Sequence, residues 1–351
     1  MVAANGDETI SVILPNFNHG RFLERSVSAL LAQDLPPHEI LIIDDASTDD
    51  SVPIIEQLAK TSPLIRLVRN ATNVGVVAAQ RHGLETISGR YIYLAAADDW
   101  ILPGFFSYAV GMLRRYPRAG LFCSDIVAID GVSGRTLGIR PPVMPRFRAG
   151  PVEPSEFRLL LARGDNWIVT AASVMRKDAI LDAGGLDEEL GSFADGFLVR
   201  KIALKHGFCY APRVTMAWRV FPGGTSRQTA LSLDRARRMM DLSSRKISVE
   251  SIFPEDYAAR FGERWRFAIA RLALQSDPVD MSLIAALALP AAFDRRIVHA
   301  VWTIANGKSG RIALLAWLWF RLRPYRLTDL VASFLLRRLW YRYSISVSPN
   351  E

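Results

Sequence analysis

The sequence predicts an α/β fold, a mostly parallel sheet flanked by helices with a helical C-terminal extension, on three observations. Short apolar runs alternate with helical patterns through residues 10–130. Those runs lack the polar alternation of a strand with one wet face, which marks strands covered on both sides. Beyond residue 227 the pattern is helical and carries no further strand signal.

The elements follow in order. ISVILP (10–15) reads as a buried strand, and RFLERSVSALLAQ (21–33) as a helix with Leu23, Val27, Leu30 and Leu31 on one face. EILIIDD (39–45) is a second buried strand. Asp49 or Asp50 caps a helix from near Ser51, where Pro53 falls in the tolerated first turn. LIRLVRN (64–70) is a third strand, and Val74–Ser88 a helix. RYIYLAAADD (90–99) is a fourth strand; a helix from Pro103 follows, with Phe106, Ala109, Val110 and Leu113 inward. GLFCSDIVAID (120–130) is a fifth strand. Residues 131–155, rich in Gly, Pro and Arg, predict a surface loop, and 156–226 a smaller mixed segment. The organisation expected is a catalytic-type α/β domain over 1–226 and a helical, basic region over 227–351.

Composition narrows the class. The chain has 351 residues, half hydrophobic and 22% charged, enough for a sizeable core and unlike a disordered segment. Two cysteines, Cys123 and Cys209, exclude a disulfide framework or zinc cluster and sit in apolar contexts that predict buried thiols. His19, His38, His82, His206 and His299 show no metal-ligand spacing. The start, MVAANGDETI, has no basic region followed by an apolar core, so a signal peptide is not expected. The longest uncharged apolar runs, 281–293 and 312–320, fall short of the ~20 residues that span a bilayer, so no transmembrane helix is expected. Residues 227–351 hold 20 basic and 11 acidic residues, net +9, whereas residues 1–226 are nearly balanced. That excess points to an anionic partner for the C-terminal region.

In open α/β sheets ligands bind beyond the C-terminal strand ends. That rule sets Pro15–Asn18, Asp44–Asp45 and Asp98–Asp99 along one edge. Adjacent carboxylates repel unless a cation or proton compensates, and oxygen ligands suit Mg²⁺ or Mn²⁺ held against phosphates. Asp98 and Asp99 therefore either hold such an ion or open the turn before the next helix. Asp45 either accepts a hydrogen bond from a base or ribose, or serves the turn, as Asp44, Ser47 and Asp49 commonly do.

The ordered set VILPNFN, IIDDASTDDS, NVGVVAAQRHG, GRYIYLAAADDWILP, GGLDE and FAD resembles the family 2 glycosyltransferases of the GT-A fold, over residues 9–226. The resemblance implies transfer of a sugar, with inversion, from a nucleotide-diphosphate donor, most often a UDP-sugar, using Mg²⁺ or Mn²⁺. It implies that Pro15, Asn16, Phe17 and Asn18 touch the nucleoside, that Asp45 reads the base, and that Asn73 and Ala97 lie near the donor. It makes Asp98 the retained metal ligand, with Asp99 as a possible second, and Asp195 the general base. Three positions depart from the pattern. Ala96 replaces the first acid of the metal motif, Ala194 the glutamate before the base, and Phe221 a histidine that can approach the diphosphate. Arg219 remains to face the diphosphate, and Arg81 adds charge where an asparagine is usual. Trp167 either lines the acceptor side or belongs to the core.

Toward the C-terminus, Leu327, Leu330, Val331, Phe334 and Leu335 share one helical face, on which Arg338 and Arg342 also fall. With Trp317, Trp319, Trp340 and Tyr341, this suits a membrane interface, or else packing on the catalytic domain or a second subunit. The expected partners are a nucleotide sugar, a glycan or lipid-linked acceptor and an anionic membrane surface on the inner face of a cell membrane. Nucleic acid is not expected, since the arginines interleave with Leu and Trp rather than forming a recognised motif. A nucleotidyltransferase lacks support because no Gly-rich phosphate loop follows the first strand. A non-catalytic sugar-nucleotide or glycan binder draws its support from Ala96, Ala194 and Phe221.

Overall fold

The computed structural model describes residues 8–340 apart from 166, 222, 225–228, 289–290 and 306. In chain order its elements begin β1 (Ile10–Asn16), α1 (Gly20–Leu31), β2 (Glu39–Asp44), α2 (Ser51–Thr61), β3 (Ile65–Arg69), α3 (Val76–Thr86), β4 (Tyr91–Leu94), β5 (Trp100–Ile101), α4 (Phe105–Arg115) and β6 (Leu121–Asp130). There follow β7 (Thr136–Arg140), β8 (Gly150–Val152), α5 (Pro154–Arg163), β9 (Ser173–Arg176), α6 (Lys177–Asp182), α7 (Ala194–His206) and β10 (Phe208–Val220). The C-terminal helices are α8 (Leu233–Val249), α9 (Tyr257–Gln275), α10 (Ala292–Ile304), α11 (Gly307–Leu322) and α12 (Leu327–Trp340).

Among the described residues the strands form one ten-stranded sheet, with a spine ordered β3-β2-β1-β4-β9-β6-β10-β5. The first four strands are parallel; β2 is buried at every position, whereas β3, at the sheet edge, exposes Arg66 and Arg69. Beyond β4 the sheet is mixed. β9 inserts antiparallel between β4 and β6, while β10 returns parallel to β6. The span 131–155, expected as loop, holds the short strands β7 and β8, each pairing antiparallel on an existing edge. The predicted fourth strand stops at Leu94, because residues 97–98 already form a turn.

The chain divides into two compact units. One comprises residues 1–157, 166–221 and 332–351 and contains the whole sheet; the other comprises residues 158–165 and 222–331. In the first, the core packs Val12, Leu14, Ile40 and Ile42 against Leu23, Val27 and Leu30 of α1 and Phe105, Phe106 and Leu113 of α4. Cys123 and Cys209 are buried as expected, and they sit on opposite faces of the sheet: Cys209 is paired with Phe122, and Cys123 with Tyr210. In the second unit, Met240, Phe267, Ile269, Leu274, Val298, Leu314 and Leu318 form a separate core.

The last helix is bolted to the sheet unit. Within that unit Arg337 donates from Nε and Nη2 to the two Asp125 oxygens on β6, at 3.0 and 2.9 Å, and from Nη1 to Pro142 O at 3.2 Å. Ser333 Oγ accepts from Met144 N at 2.9 Å. Among the described residues no helix is long and apolar enough to cross a membrane.

Candidate active site

The parallel strands deliver their C-terminal ends to one edge. Asn16 on β1 pairs in register with Asp44 on β2, and Ile13 with Leu94 on β4. Tyr93 on β4 faces Val174 on β9. Because β9 runs antiparallel to β4, the 170–172 turn that precedes it lies toward the C-terminal end of β4, and Tyr93 Oη donates to Ala171 O at 3.1 Å. Neighbouring strands lie ~4.8 Å apart. Asp45 thus follows the strand two places from β4 on one side, and the 170–172 turn leads into β9, the strand next to β4 on the other.

The β1 loop is tied to the β2 loop. Asn16 is buried; its Nδ2 donates to Asp44 Oδ1 at 2.9 Å and Ser47 Oγ at 3.1 Å, while its Oδ1 is buried without a partner. Asn18 takes a positive φ of 55°, a region asparagine tolerates, and its Oδ1 accepts from Thr48 N at 2.7 Å. Asp49 accepts from Gly20 N and Ser51 N, each at 3.0 Å, so it holds α2 and the start of α1 at once. Pro15 is half-buried in β1, and Phe17 is 44% exposed at the edge.

Asp45 is buried, and the chain itself occupies its carboxylate. Oδ1 accepts from Asn70 Nδ2 at 2.8 Å and Val74 N at 2.9 Å, and Oδ2 from Gly75 N at 2.8 Å. Gly75 has φ +90°, which favours glycine at the entry to α3. The carboxylate thereby fixes the 70–75 loop. Asn73, on that loop, is exposed.

After β4, Ala97 is buried and Asp98 partly exposed, but Asp99 turns inward. Its Oδ1 accepts from Arg219 N at 2.8 Å. Burial, then the neighbouring Asp98 charge, pushes the Asp99 carboxyl well above the usual range. Arg219 Nη1 donates to Asp98 O at 2.8 Å, so this one residue of β10 pins the turn twice. Phe221 packs on Phe22 with ring centroids 5.4 Å apart, in space left by Gly131, where a Cβ would meet the ring at 2.4 Å.

Asp195 opens α7, partly exposed, with its Oδ1 accepting from Gly196 N at 2.6 Å. Burial pushes its carboxyl above the usual aspartate range, against hydrogen bonds from Gly196 N and the Thr170 side chain and the charge of Arg200. The Thr170 bond joins Asp195 to the edge that carries Asp98. Arg81 pairs with Glu188 at 3.1 Å, and Trp167 is buried at 2% exposure.

Can these residues hold the divalent ion that the resemblance implies? Ala96 offers no ligand and Asp99 is spent on the Arg219 amide. Among the described residues no three His, Cys, Asp or Glu side chains gather as a metal site. Mg²⁺ keeps several waters and uses one or two carboxylates plus substrate phosphates. Asp98 alone fits that minimal requirement.

Pattern reading missed Asn70, Thr170 and the pair Arg21 and Arg25. The available signal for the arginines was their i, i+4 spacing in the first turns after the β1 loop.

Residues 11–179 match the family described as Glycosyl transferase family 2. Uncharacterized protein MT1568 of Mycobacterium tuberculosis is 30% identical over 213 residues, 58% of this chain and 64% of its own length. TuaG of Bacillus subtilis, named for teichuronic acid biosynthesis, is 35% identical over 95 residues, 27% of this chain and 38% of its own. The chain thus spans less than two thirds of either relative. The crystal structure of Staphylococcus aureus TarS 1–349 with UDP-GlcNAc superposes with TM-score 0.61 at 16% identity, over 95% of this chain and 91% of that one. The fold is therefore GT-A, with a helical C-terminal region.

Proposed function

We infer that this chain, whose residues 11–179 carry a family 2 glycosyltransferase domain, moves a sugar from a nucleoside-diphosphate donor, a UDP-sugar, to an acceptor hydroxyl with inversion. The observation that carries the reading is the shared edge: Asp45 and Asp98 follow β2 and β4, which flank β1, and Asp195, at the start of α7, accepts a hydrogen bond from Thr170 in the turn that leads into β9 beside β4. The strands that carry Asp45 and Asp98 are two spacings apart, ~10 Å, and the Thr170 turn continues the edge on the far side of β4.

Asp195 accepts the proton of the acceptor hydroxyl as that oxygen bonds to the anomeric carbon. The bond from that carbon to the diphosphate oxygen breaks on the opposite face, and its electron pair leaves with the nucleoside diphosphate. A carboxyl held above the usual aspartate range is the stronger base for this task. Asp98 would hold Mg²⁺ or Mn²⁺, whose charge stabilises the departing diphosphate when bound. Asp45 acts on the donor by fixing the 70–75 loop, and Phe17 offers an exposed ring at the nucleoside end.

The acceptor class is a growing polysaccharide or lipid-linked glycan. Support for a membrane-borne acceptor comes from α12, where Leu327, Val331, Phe334 and Leu335 are about half exposed or more on one face beside exposed Arg338. Apolar side chains with flanking arginines suit an anionic interface. Trp317 and Trp319 instead pack on the core of the second unit; the Trp340 side chain, Tyr341 and Arg342 lie outside the described residues.

The test is a panel of nucleotide sugars with Mn²⁺, following released nucleoside diphosphate. Turnover should appear with a UDP-sugar and fall roughly 10²–10⁴-fold in Asp195→Asn. Turnover indifferent to that change removes Asp195 from its role. Donor binding without any release favours a non-catalytic binder.

A further inference from the structure

Beside Asp98 three guanidinium groups alternate with aromatic rings. Arg25 stands 3.6 Å from the Trp100 ring centroid, and Arg219 lies 4.6 Å from the same ring. Arg219 is also 4.9 Å from the Phe22 ring, and Arg21 4.5 Å from it. The order is Arg25, Trp100, Arg219, Phe22, Arg21, drawn from α1, β5 and β10. It touches the turn directly through the Arg219 to Asp98 O bond, and Ser26 Oγ on α1 reaches Ala96 O at 3.2 Å.

We propose that Arg21, Arg25 and Arg219, spaced by Phe22 and Trp100, form a seat for the donor's diphosphate that binds it by guanidinium charge without requiring the divalent ion. The proposal rests on the glycosyltransferase reading and adds the means by which the leaving group is held.

The charge balance carries it. A turn bearing two open carboxylates is net negative and repels a diphosphate until a cation arrives. Here Ala96 removes one carboxylate and Asp99 turns the other inward. Arg219 lies against both Asp98 and Asp99, and Arg21 and Arg25 share its aromatic stack, so three guanidinium groups accompany two carboxylates at this end of the site. The extra positive charge is relieved by an anion. The rings hold the guanidinium planes in fixed stacks. Planar guanidinium then presents paired N–H donors to phosphate oxygens. Phe221, standing where a histidine is usual, extends the stack, with Arg21 5.9 Å from its ring.

The experiment is isothermal titration with UDP, GDP and inorganic pyrophosphate, at constant ionic strength, in EDTA and in Mn²⁺. Quenching or enhancement of tryptophan fluorescence by the same ligands reports on Trp100, with Trp100→Phe as its control. The expected result is UDP binding in EDTA within a few-fold of that in Mn²⁺, displaced by pyrophosphate. Arg21→Gln and Arg25→Gln should each weaken it about tenfold, the loss of one charged hydrogen-bond partner. Arg21 is exposed, so its variant leaves the core intact, and circular dichroism verifies both folds. UDP binding that needs Mn²⁺ and vanishes in EDTA overturns the seat and leaves the glycosyltransferase reading standing. So does metal-free binding that both variants leave unchanged. No nucleotide binding under either condition overturns the reading and the seat together.

Discussion

Replacing Arg337 by methionine should unfold the sheet unit early, although Arg337 lies far along the chain from every strand. Its guanidinium makes two bonds to Asp125 at 2.9 and 3.0 Å, and the two residues are 8% and 0% exposed. Methionine fills similar length but leaves the Asp125 carboxylate buried without the guanidinium, while Tyr210 Oη still donates to it at 2.6 Å. Removing one partner of a buried pair costs about 3–5 kcal/mol. The surviving Tyr210 bond argues for the lower end, about 3 kcal/mol. For a unit of this size, at roughly 2–4 °C per kcal/mol, the melting temperature falls by about 6–12 °C. Differential scanning calorimetry measures it directly. The double variant Arg337→Met with Asp125→Leu should recover most of the loss, since it removes the stranded charge. A single variant melting within about 2 °C of the parent would refute the buried-pair account. The same network makes truncation before residue 333 a poor probe of the C-terminal helices, because it removes Ser333 and Arg337 from the sheet unit.

Asp99→Asn should raise stability at neutral pH. The wild-type carboxyl has a folded pKa above its unfolded value, so its contribution is full at low pH and is lost as pH rises from the ordinary aspartate range. Melting curves from pH 4 to 8 should show the variant's advantage growing with pH; an advantage that shrinks with pH would contradict the inward carboxyl. Asp45→Asn puts an amide N–H against Gly75 N at the 2.8 Å contact. It should raise the donor KM about tenfold, from one charged hydrogen bond lost, with faster hydrogen exchange at residues 70–75; unchanged exchange there would deny Asp45 its loop-fixing role. Asp195→Asn should remove the acid limb of the kcat/KM pH profile, a limb placed above the usual aspartate range by burial; a limb that persists belongs to another group. Finally, the full chain should float with anionic liposomes, and Phe334→Glu with Leu335→Glu should leave it in the soluble fraction. Equal flotation of both would remove α12 from membrane contact.

The parallel half of the sheet was legible because burial on both faces erases polar alternation: ISVILP, EILIID and YIYL carry no polar position that demands water. The antiparallel half was not. β9 is four residues, SVMR, and its place between β4 and β6 is decided by long-range pairing that no local pattern encodes. β7 and β8 are five and three residues within a Gly- and Pro-rich stretch, where edge pairing overrides local composition. The role of α12 was half legible. Its apolar face predicted exposure to something, but Arg337 on the opposite side carries the contact that fixes the helix, and a buried arginine looks in sequence like any surface one.

At the site, residue type announced chemistry but not orientation. Sequence ranked Asp98 ahead of Asp99 as a metal ligand but could not show that the turn at 97–98 would aim the two carboxylates differently. One reaches solvent while the other enters the core, where an amide must meet it. Asp45 shows the same limit: an acid after a strand can serve a ligand or a loop, and only the fold shows the donors from residues 70, 74 and 75 that meet it. The arginines were hidden for a different reason. Arg21 and Arg25 precede Arg219 by almost two hundred residues, and only the sheet order brings α1, β5 and β10 to one turn. Loss of the acid at position 96 is therefore more than an absence. It removes negative charge beside a turn where the fold has assembled three positive groups, so the two features are a single electrostatic arrangement suited to an anion.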